Sequence, residues 1–447
     1  MQHIQGISRH QLQMSSLEDK ITADNPVRFI DAFVNHIDPV KIGFQPKILK
    51  TEGRPNFRLE VFLKLYLYGY LNGVRSSRRL EKECFRNIEV QWLLEAIYPN
   101  YHSIADFRKD NPKALKQLFK LFVSFLKDAE LIAGDTIAID GTKSRAHNSK
   151  KANYNQKKID KHKEYIQAKS QEYLDQLDQN DIQENPVAIK NIQQKIERLK
   201  QNKIKYELLE EELKNSREPQ ISTTDADART LLVQGQVVEV SYNIQAAVDS
   251  KHNLVVATHT INRNDKNALT AIALEVKENL ALETFTVLVD KGYHNGRELH
   301  TCKQNNITTI VAVPEQGKSN ENGTQPEYLV SKFIYNKENN SYTCPEGKTL
   351  TTTGSWHKKT GRTEESGYNF QKYRTPACKT CLVKGLCTSR NGGREIDRSQ
   401  YADAVEENHQ RYKDNPQLYR KRQEINEHIF GTIKRKWGYN YTDLVGL

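Results

Sequence analysis

The sequence predicts an α/β protein, a mixed sheet with flanking helices, preceded by an all-helical domain. Residues 1–130 carry apolar side chains at helical spacing. Short β-branched runs then alternate with helical stretches, beginning at Gly134–Asp140. Two polar stretches, residues 150–217 and residues 315–400, interrupt this alternation. We therefore expect the α/β part to contain two insertions, a helical hairpin and a polar segment that carries cysteines.

Composition and charge exclude several classes of protein. The chain has 447 residues, a formal net charge of +11, 37% hydrophobic residues and six cysteines. No run reaches the roughly 18 apolar residues of a membrane helix, and residues 1–20 lack the apolar core of a secretory signal. Six cysteines in so long a chain make no disulfide framework. We expect a cytoplasmic protein with no membrane partner.

The helical domain has a basic edge. Phe57–Tyr70 carries one apolar helix stripe, and the next helix brings Arg75, Arg78 and Arg79 together. Such a group suits contacts with DNA phosphates or with the major groove. The alternative is a surface helix whose arginines form ion pairs.

Residues 150–217 are predicted to form the helical hairpin. Ile159 and Ile166 begin a coiled-coil-like apolar series in the first arm, and Ile204 and Leu208 end the series of the second. Lys and Arg number 17 between residues 143 and 217, against 12 Asp and Glu. This charge indicates a solvated hairpin surface or a DNA contact.

Without the hairpin, the α/β part has the order strand–strand–strand–helix–strand–helix–strand–insert–helix. Asp140 ends the first strand and Asp290 ends the fourth. Carboxylates at the ends of adjacent strands, joined by a third from a packed helix, can bind hard divalent cations such as Mg²⁺. A single strand-terminal Asp is more often a turn or cap residue, so the combination carries the prediction.

The last helix, predicted over Asn415–Trp437, carries the third acid. Glu427 and Lys434 share a face because they are two turns apart, and Glu427 lies off the apolar stripe that begins at Ile425. Glu424, one turn earlier, is the nearest rival ligand. A solvated helix face is the ordinary alternative for such a Glu–Lys pair.

Several stretches resemble the DDE transposases of bacterial insertion sequences, most closely the group with a helical insertion and a Cys-containing segment. In the α/β part they are IAIDGTKSRAHNSK (Ile137–Lys150), SYNIQAAVD (Ser241–Asp249), LVDKGYHNGREL (Leu288–Leu299) and RQEINEHIFGTIKRKWGY (Arg422–Tyr439). LKLYLYGYLNGVRSSRRLEKEC (Leu63–Cys84) and HSIADFRKDN (His102–Asn111) resemble the helical domain that precedes the catalytic domain in such transposases.

The resemblance implies an RNase H-like core whose catalytic, metal-binding triad is Asp140, Asp290 and Glu427. It also implies that Tyr419, Arg422 and Lys434 match a Tyr-Arg-Glu-Lys signature and contact DNA. The Glu-to-Lys spacing agrees with that signature. The Arg-to-Glu spacing is one residue longer, because Gln423 occupies the usual place of the Arg.

The polar insert contains four cysteines, Cys344, Cys378, Cys381 and Cys387. A four-cysteine zinc knuckle would fold a segment too polar to make its own core. The spacing between the last two cysteines is irregular for a knuckle, and reduced structural cysteines are the equal alternative.

The expected domain plan has six parts. They are the DNA-binding helical domain (1–130), the first strand of the core with its Asp (131–149), the hairpin (150–217), the continued core (218–314), the polar insert (315–400) and the final helix of the core (401–447). The basic excess falls outside the central strands, with a net +8 from residue 331 onward.

We therefore expect a transposase that binds terminal inverted repeats and cleaves and transfers DNA strands with two Mg²⁺ or Mn²⁺ ions. One ion would activate water, and later a 3′-hydroxyl, while the other stabilises the leaving oxygen. A homodimer on double-stranded DNA is expected, because two ends must be joined. The alternatives are a metal-dependent nuclease of the same core without strand transfer, and an inactive DNA-binding regulator.

Overall fold

The structure, a computed structural model, describes residues 8, 10–12, 14–45, 56–147, 150–182, 186–216, 218–234, 236–314, 324–361, 367–442 and 445–446. The chain divides into two compact units. One comprises residues 1–130 with Lys436–Gly438, and the other comprises residues 131–435 with Tyr439–Leu447. Three positions at the expected domain boundaries, residues 149, 217 and 315, lie outside the described residues.

The first unit is helical, as predicted. Its helices are α1 (Pro26–His36), α2 (Pro39–Ile42), α3 (Leu59–Leu71), α4 (Ser77–Arg86), α5 (Ile88–Leu93), α6 (Tyr101–Asp110) and α7 (Pro112–Asp128). Caps fix several starts: the side chain of Asn25 accepts a hydrogen bond from the amide of Val27 ahead of α1. The core is built around fully buried side chains such as Leu65 and Leu80.

The second unit contains the mixed α/β fold. In chain order it comprises β1 (Thr136–Arg145), β2 (Asn153–Tyr154), α8 (Gln156–Ile182), α9 (Pro186–Ser216), β3 (Ile221–Ser222), β4 (Arg229–Gln234), β5 (Val237–Asp249), β6 (Val255–Ile261), α10 (Leu269–Asn279), β7 (Phe285–Val289), α11 (Gly296–Gln304), β8 (Ile307–Val311), β9 (Ile334–Asn336), β10 (Ser341–Thr343), β11 (Thr349–Thr351), β12 (Trp356–Lys359), β13 (Tyr368–Arg374), α12 (Lys384–Cys387), β14 (Glu395–Ser399), α13 (Ala402–Asp414) and α14 (Pro416–Gly431).

The larger sheet is mixed, as the sequence predicts. Its order is β4–β5–β1–β7–β8, and β6 also pairs with β5. β1 runs antiparallel to β5 and parallel to β7, and β7 runs parallel to β8. β1 is therefore the strand on which the antiparallel and the parallel halves of the sheet meet.

The prediction that β1 ends at Asp140 is wrong. β1 continues to Arg145, because β5 pairs with it along its whole length from Ile137 onward. The parallel partner β7, by contrast, pairs with β1 only as far as Ile139. Asp140 is thus the first residue at which one edge of β1 is no longer covered by a strand.

The hairpin is present as α8 and α9, joined at its base by the short antiparallel pair β2 and β3. Ile159 and Ile166 are buried, as expected from the spacing. Ile204 and Leu208 were expected in the apolar stripe, but they are 57% and 61% exposed. Leu209 and Leu213 are buried in their place, so the sequence pattern misplaces the stripe at this end of α9 by one residue.

The polar insert folds as a second sheet of six short strands, in the order β12–β13–β11–β10–β9 with β14 paired to β13. Its core consists of Phe333, Tyr342, Leu350, Tyr373 and Ile396, with Cys344 and Cys387 packed against it. A small aromatic core thus stabilises a segment whose composition is mainly polar.

The predicted final helix, Asn415–Trp437, is shorter and less regular than expected. α14 ends at Gly431, and a π-helical turn follows it over Thr432–Lys436. The sequence reading also missed α13, which precedes α14. Ile425 and the half-buried Ile429 pack against the larger sheet, as the apolar stripe predicts.

Candidate active site

Asp140 and Asp290 lie on the face of the larger sheet that α14 covers. Ala138 and Leu288 belong to the apolar cluster that packs against Ile425. Side chains alternate between the two faces of a strand, so Asp140 and Asp290, each two residues further along, point to that same face. The negative charge of Asp290 reaches Asp140 and favours its protonated form. The structure therefore brings these two predicted residues together.

The groups around Asp140 have opposite effects on the pKa of its carboxyl. Burial raises the pKa of the Asp140 carboxyl, and the charges of Asp265 and Asp290 raise it further. The amide of Gly141, which donates to Oδ1 at 2.8 Å, and the guanidinium of Arg422, 3.4 Å from Oδ2, lower it. Burial prevails and the pKa is raised. A cation bound at this carboxylate would relieve the cost of burying its charge.

Asp265 is a third acid near this pair, and the sequence reading missed it. Its Oδ1 accepts hydrogen bonds from Nδ2 of Asn243 (2.8 Å) and Nε2 of Gln245 (3.0 Å), and its Oδ2 accepts one from Nζ of Lys143 (3.1 Å). Burial would raise the pKa of Asp265, but these donors lower it below its ordinary value. Asp265 lies four residues after the end of β6, and its place shortly after a strand was the signal that could have revealed it.

Asp265 lies on the face of the larger sheet opposite to Asp140, where it contacts side chains of β1 and β5. Gly141 and Lys143 point away from the Asp140 face, and their cross-strand neighbours are Gln245 and Asn243. A Cβ on Gly141 would lie 2.5 Å from both Asp265 Oδ1 and Gln245 Nε2, so only glycine permits this close approach. Because all its hydrogen-bonding partners are on this face, Asp265 acts as a support of β1.

Three predicted DNA contacts lie along β1 and α14: Arg422 and Tyr419 near Asp140, and Lys434 further along β1. Arg422 approaches Asp140, and its guanidinium stands 5.8 Å from the ring of Tyr419. Nζ of Lys434 donates to the backbone oxygen of Lys143 at 2.7 Å. Burial, together with the charge of Lys143, lowers the pKa of Lys434. The C-terminal half of β1 is thus bordered by cations from α14 and the turn that follows it.

Glu427 is not part of this group. The side chain of Glu427 is exposed, whereas the two residues that precede it on α14, Ile425 and Asn426, are buried. Glu427 is five positions after Arg422, so the two side chains are about 140° apart around an α-helix. Asn426, four residues after Arg422, shares the face of Arg422. Glu424, the rival ligand, is exposed as well.

The donor set for a divalent cation is therefore incomplete. Asp140 and Asp290 supply oxygen ligands of the kind that Mg²⁺ prefers. In the described parts of the chain, no three His, Cys, Asp or Glu side chains form a group that could hold a metal ion. What the pair lacks is a third carboxylate on the sheet-facing side of α14.

The four insert cysteines lie near one another. Cys344, Cys378, Cys381 and Cys387 line one apolar cavity of about 30 Å³ beside the small sheet. Sγ of Cys344 accepts a hydrogen bond from the amide of Lys348 (3.2 Å), across a turn in which Gly347 has a φ of +70°. All four are free thiols.

The basic residues of the first unit lie around the start of α4. Arg78 and Arg79 are exposed, and Arg75 is half-buried. The guanidinium of Arg78 stands 5.0 Å from the ring of Tyr101. The opposite face of α4 carries the buried Leu80 and Cys84, so the two exposed arginines face the solvent.

Two family models match the chain. Residues 15–110 match the transposase domain DUF772, and residues 343–447 match a transposase DDE domain. The chain carries transposase domains. The resemblance to DDE transposases of insertion sequences, drawn from the sequence motifs, is thereby confirmed.

The two matches leave residues 111–342 of the chain uncovered, and with them Asp140 and Asp290. The DDE-domain match includes Glu427, Lys434 and the four insert cysteines. No curated protein and no solved structure is found to match the chain. Within its described residues, no helix has both the length and the apolar character needed to cross a bilayer.

Proposed function

We propose that this protein is the DNA transposase of an insertion sequence, which binds the terminal inverted repeats of the element and cleaves and transfers DNA strands. The observation that carries the proposal is that Asp140 and Asp290 lie near one another on the α14 face of the larger sheet. Arg422 contacts Asp140, and Lys434 binds the backbone of Lys143, three residues further along β1. An acidic pair bordered by cations suits a reaction at a phosphodiester.

Asp140 and Asp290 would hold Mg²⁺ or Mn²⁺, with Glu427 as the third ligand that the resemblance implies; Glu427 is exposed in this structure and would have to turn toward the pair. When bound, two such ions clamp the attacking and leaving oxygens of an in-line displacement at phosphorus. Arg422 orients Asp140, and its guanidinium also offers donors to a phosphate oxygen. Lys434 adds a positive charge near the DNA backbone. Since no covalent protein–DNA intermediate is needed, the chain supplies positioning and charge.

The helical domain would bind the inverted repeats. Its exposed arginines on α4, Arg78 and Arg79, are placed for phosphate or major-groove contacts, with Arg75 beside them. The hairpin of α8 and α9 is the proposed contact between the two copies of the chain that must hold two DNA ends. Exposed apolar residues such as Ile204 and Leu208 favour such a contact.

We also propose a structural zinc ion at Cys344, Cys378, Cys381 and Cys387. Their common cavity, the amide that donates to Cys344 Sγ and the polarity of the segment support it. Binding would draw the four sulfurs together around the ion. The zinc would stabilise the small sheet and take no part in the reaction at DNA.

A strand-transfer assay tests the proposed function. The purified protein is incubated with Mg²⁺, DNA that carries the element's end, and a target plasmid. We expect joined products, and we expect Asp140→Asn and Asp290→Asn to abolish cleavage while DNA binding is retained. Asp135→Asn, at an exposed position before β1, is the matched control and should stay active.

Two outcomes would contradict the proposed function. Cleavage without joined product, even from a pre-cleaved end, would favour a nuclease of the same core. Normal cleavage by the Asp140→Asn variant would remove the mechanism altogether.

A further inference from the structure

An exposed pair of aromatic rings lies at the C-terminal end of α4 in the helical unit. The rings of Phe85 and Tyr98 are stacked, with centroids 4.8 Å apart and an interplanar angle of 9°. Phe85 is 62% exposed and Tyr98 is 39% exposed. Tyr98 covers one face of the Phe85 ring, so the exposure of Phe85 comes mainly from its other face. A stacked ring pair left open to solvent indicates a surface that another molecule covers.

The chain holds this ring pair in place before any ligand binds. Nε2 of Gln91 donates to the backbone oxygen of Phe85 at 2.9 Å, and the backbone oxygen of Gln91 accepts from the amide of Ala96 at 2.8 Å. Glu95 and Ala96 have φ angles of +53° and +57°, which non-glycine residues rarely adopt. This turn brings Tyr98 back onto α4. The rings are thus preorganised, so that binding costs little conformational entropy.

The surface of α4 beside the ring pair is positively charged. Arg78 and Lys82 lie seven and three positions before Phe85, so the three side chains form one stripe. The two acids of α4 are less accessible, because Glu81 is half-buried and Glu83 is buried. The cations of the helix are all exposed: Arg78, Arg79, Lys82 and Arg86. Cations interleaved with open rings suit a polyanion that also has flat apolar faces, which is a nucleic acid.

A second group of rings lies at the other end of this stripe. The guanidinium of Arg78 stands 5.0 Å from the ring of Tyr101, whose centroid is 4.0 Å from that of the exposed His102. Glu81 accepts a hydrogen bond from the amide of Tyr101 (3.2 Å), which fixes this group against α4. Arg78 and Phe85 are about 10 Å apart along the helix. Rings and cations therefore follow one another along the exposed side of α4.

We propose that the Phe85–Tyr98 ring pair is a stacking platform for an unpaired base of DNA, and that the cations of α4 bind the phosphates on either side of that base. Within an intact duplex, neighbouring bases cover both faces of each base. An open ring face can therefore stack only on a base that is unpaired or terminal, as in a single strand or an opened duplex end. The inference rests on the proposed function, since it specifies which form of DNA the helical domain binds.

Substitutions at Phe85 test the platform in the full-length protein. Binding of a single DNA strand of about twelve nucleotides, within the range that such sites cover, is measured by fluorescence anisotropy. We expect Phe85→Ala to weaken it about tenfold, which is about 1.4 kcal/mol. Binding of a relaxed circular duplex, which has no terminal base, should change much less.

Two further substitutions separate stacking from apolar contact. Phe85→Trp should keep the affinity for the single strand, because its larger ring can stack on a base. Phe85→Leu should bind as weakly as Phe85→Ala, although leucine keeps an apolar side chain. Phe125→Ala is the matched control, since Phe125 is a 45% exposed aromatic residue of α7, and it should leave the affinity unchanged.

The salt dependence separates the ring pair from the cations. Each phosphate contact that is lost reduces the slope of log K against log salt concentration by about 0.7 for a single strand. We expect Arg78→Ala to reduce the slope by about this amount. Phe85→Ala should lower the affinity at every salt concentration and leave the slope unchanged. A reduced slope in Phe85→Ala would show that the ring only positions the cations, and would overturn the platform.

A photochemical cross-link locates the base directly. A single strand that carries 5-iodouracil is irradiated in complex with the protein, and the cross-linked peptide is identified by mass spectrometry. We expect the cross-link at Phe85 or Tyr98. Cross-links confined to other residues would overturn the inference.

Equal affinity of the unaltered protein and Phe85→Ala for the single strand would also overturn the inference, as would full affinity of Phe85→Leu. Failure of the proposed function is distinguishable. If the strand-transfer assay yields joined products while Phe85→Ala binds the single strand normally, only the platform is wrong. If single-strand binding depends on Phe85 but no DNA strand is cleaved, the proposed transposase activity is wrong.

Discussion

The guanidinium of Arg422 lies 3.4 Å from the carboxylate of Asp140, and this contact joins α14 to the central strand of the larger sheet. The Arg422 side chain is 12% exposed and that of Asp140 32% exposed, so water screens the pair only in part. The contact with Arg422 lowers the pKa of Asp140 and so opposes burial, which favours the neutral form.

Replacing Arg422 with Met should therefore destabilise the fold. The change leaves Asp140 without its partner, and we expect the free energy of unfolding in urea to fall by about 1–3 kcal/mol. Adding Asp140→Asn should recover most of this loss, because a neutral amide needs no cation. Arg420→Met, at an exposed position, should change little. If the double variant is as unstable as the single variant, the pair has no such role.

Gly141 should not accept a side chain. An alanine Cβ would meet Asp265 Oδ1 and Gln245 Nε2 at 2.5 Å, so the Asp265 network must move. We expect Gly141→Ala to lower the free energy of unfolding by about 1–3 kcal/mol, and to slow strand cleavage because Asp140 precedes it. Gly385→Ala, with no neighbouring atom within 4 Å, is the control. Unchanged stability of both variants would contradict the close packing seen at Gly141.

The hairpin should lose stability in acid through Glu210. Hydrogen bonds from Lys163 and Gln156, and the nearby Lys214, lower the pKa of Glu210 to about 2. Because the folded pKa is below that of an unfolded Glu, about 4.3, its stabilising effect is present above that pH and is lost as the pH falls.

Glu210→Gln should therefore lower the thermal unfolding midpoint of the hairpin helices at neutral pH, followed by circular dichroism. The difference from the unaltered protein should shrink as the pH falls from about 4 toward 2. Glu211→Gln, at an exposed neighbouring position, should show no such pH-dependent difference. An equal effect of Glu210→Gln at every pH would show that the loss is steric.

Zinc content can be measured directly. We expect about one zinc ion for each chain of purified protein and less in the Cys378→Ser and Cys381→Ser variants, with lower thermal stability of the insert. Cys302→Ser is the control: Cys302 is fully buried in α11, and burial raises the pKa of its thiol to about 12. Purified protein without zinc would remove the proposed knuckle.

The larger features of the fold could be predicted because local pattern determines them. The apolar helix stripes of the first unit, the β-branched run around Ile137 and the start of the hairpin series at Ile159 bury most of the residues that their spacing indicates. The second arm of the hairpin is the exception. The end of β1 could not be predicted, because pairing with β5, about one hundred residues later, extends the strand past Asp140. Long-range pairing overrides the local break at Gly141.

The candidate site was harder to predict. Asp140 and Asp290 come together because β1 and β7 pair in parallel as far as Ile139 and Val289, so the residues that follow this pairing are neighbours. The sequence predicts this proximity, but from strand ends, and β1 does not end at Asp140. The position of Asp265 depends on hydrogen bonds from three side chains that are distant in sequence, and no local pattern predicts these bonds. Glu427 is exposed, whereas Asn426 is buried; the sequence pattern placed Glu427 off the apolar stripe but could not show which polar residue of α14 the packing buries.

The short pair of β2 and β3 at the base of the hairpin has a consequence for how the chain folds. β1 and β5 are far apart in sequence, so their pairing would ordinarily close a long loop and be slow. The hairpin arms are local and can form early. Once Asn153–Tyr154 meets Ile221–Ser222, the loop that remains between β1 and its antiparallel partner is short. We therefore expect the insertion to speed the pairing of β1, the strand that carries Asp140, with β5 during folding.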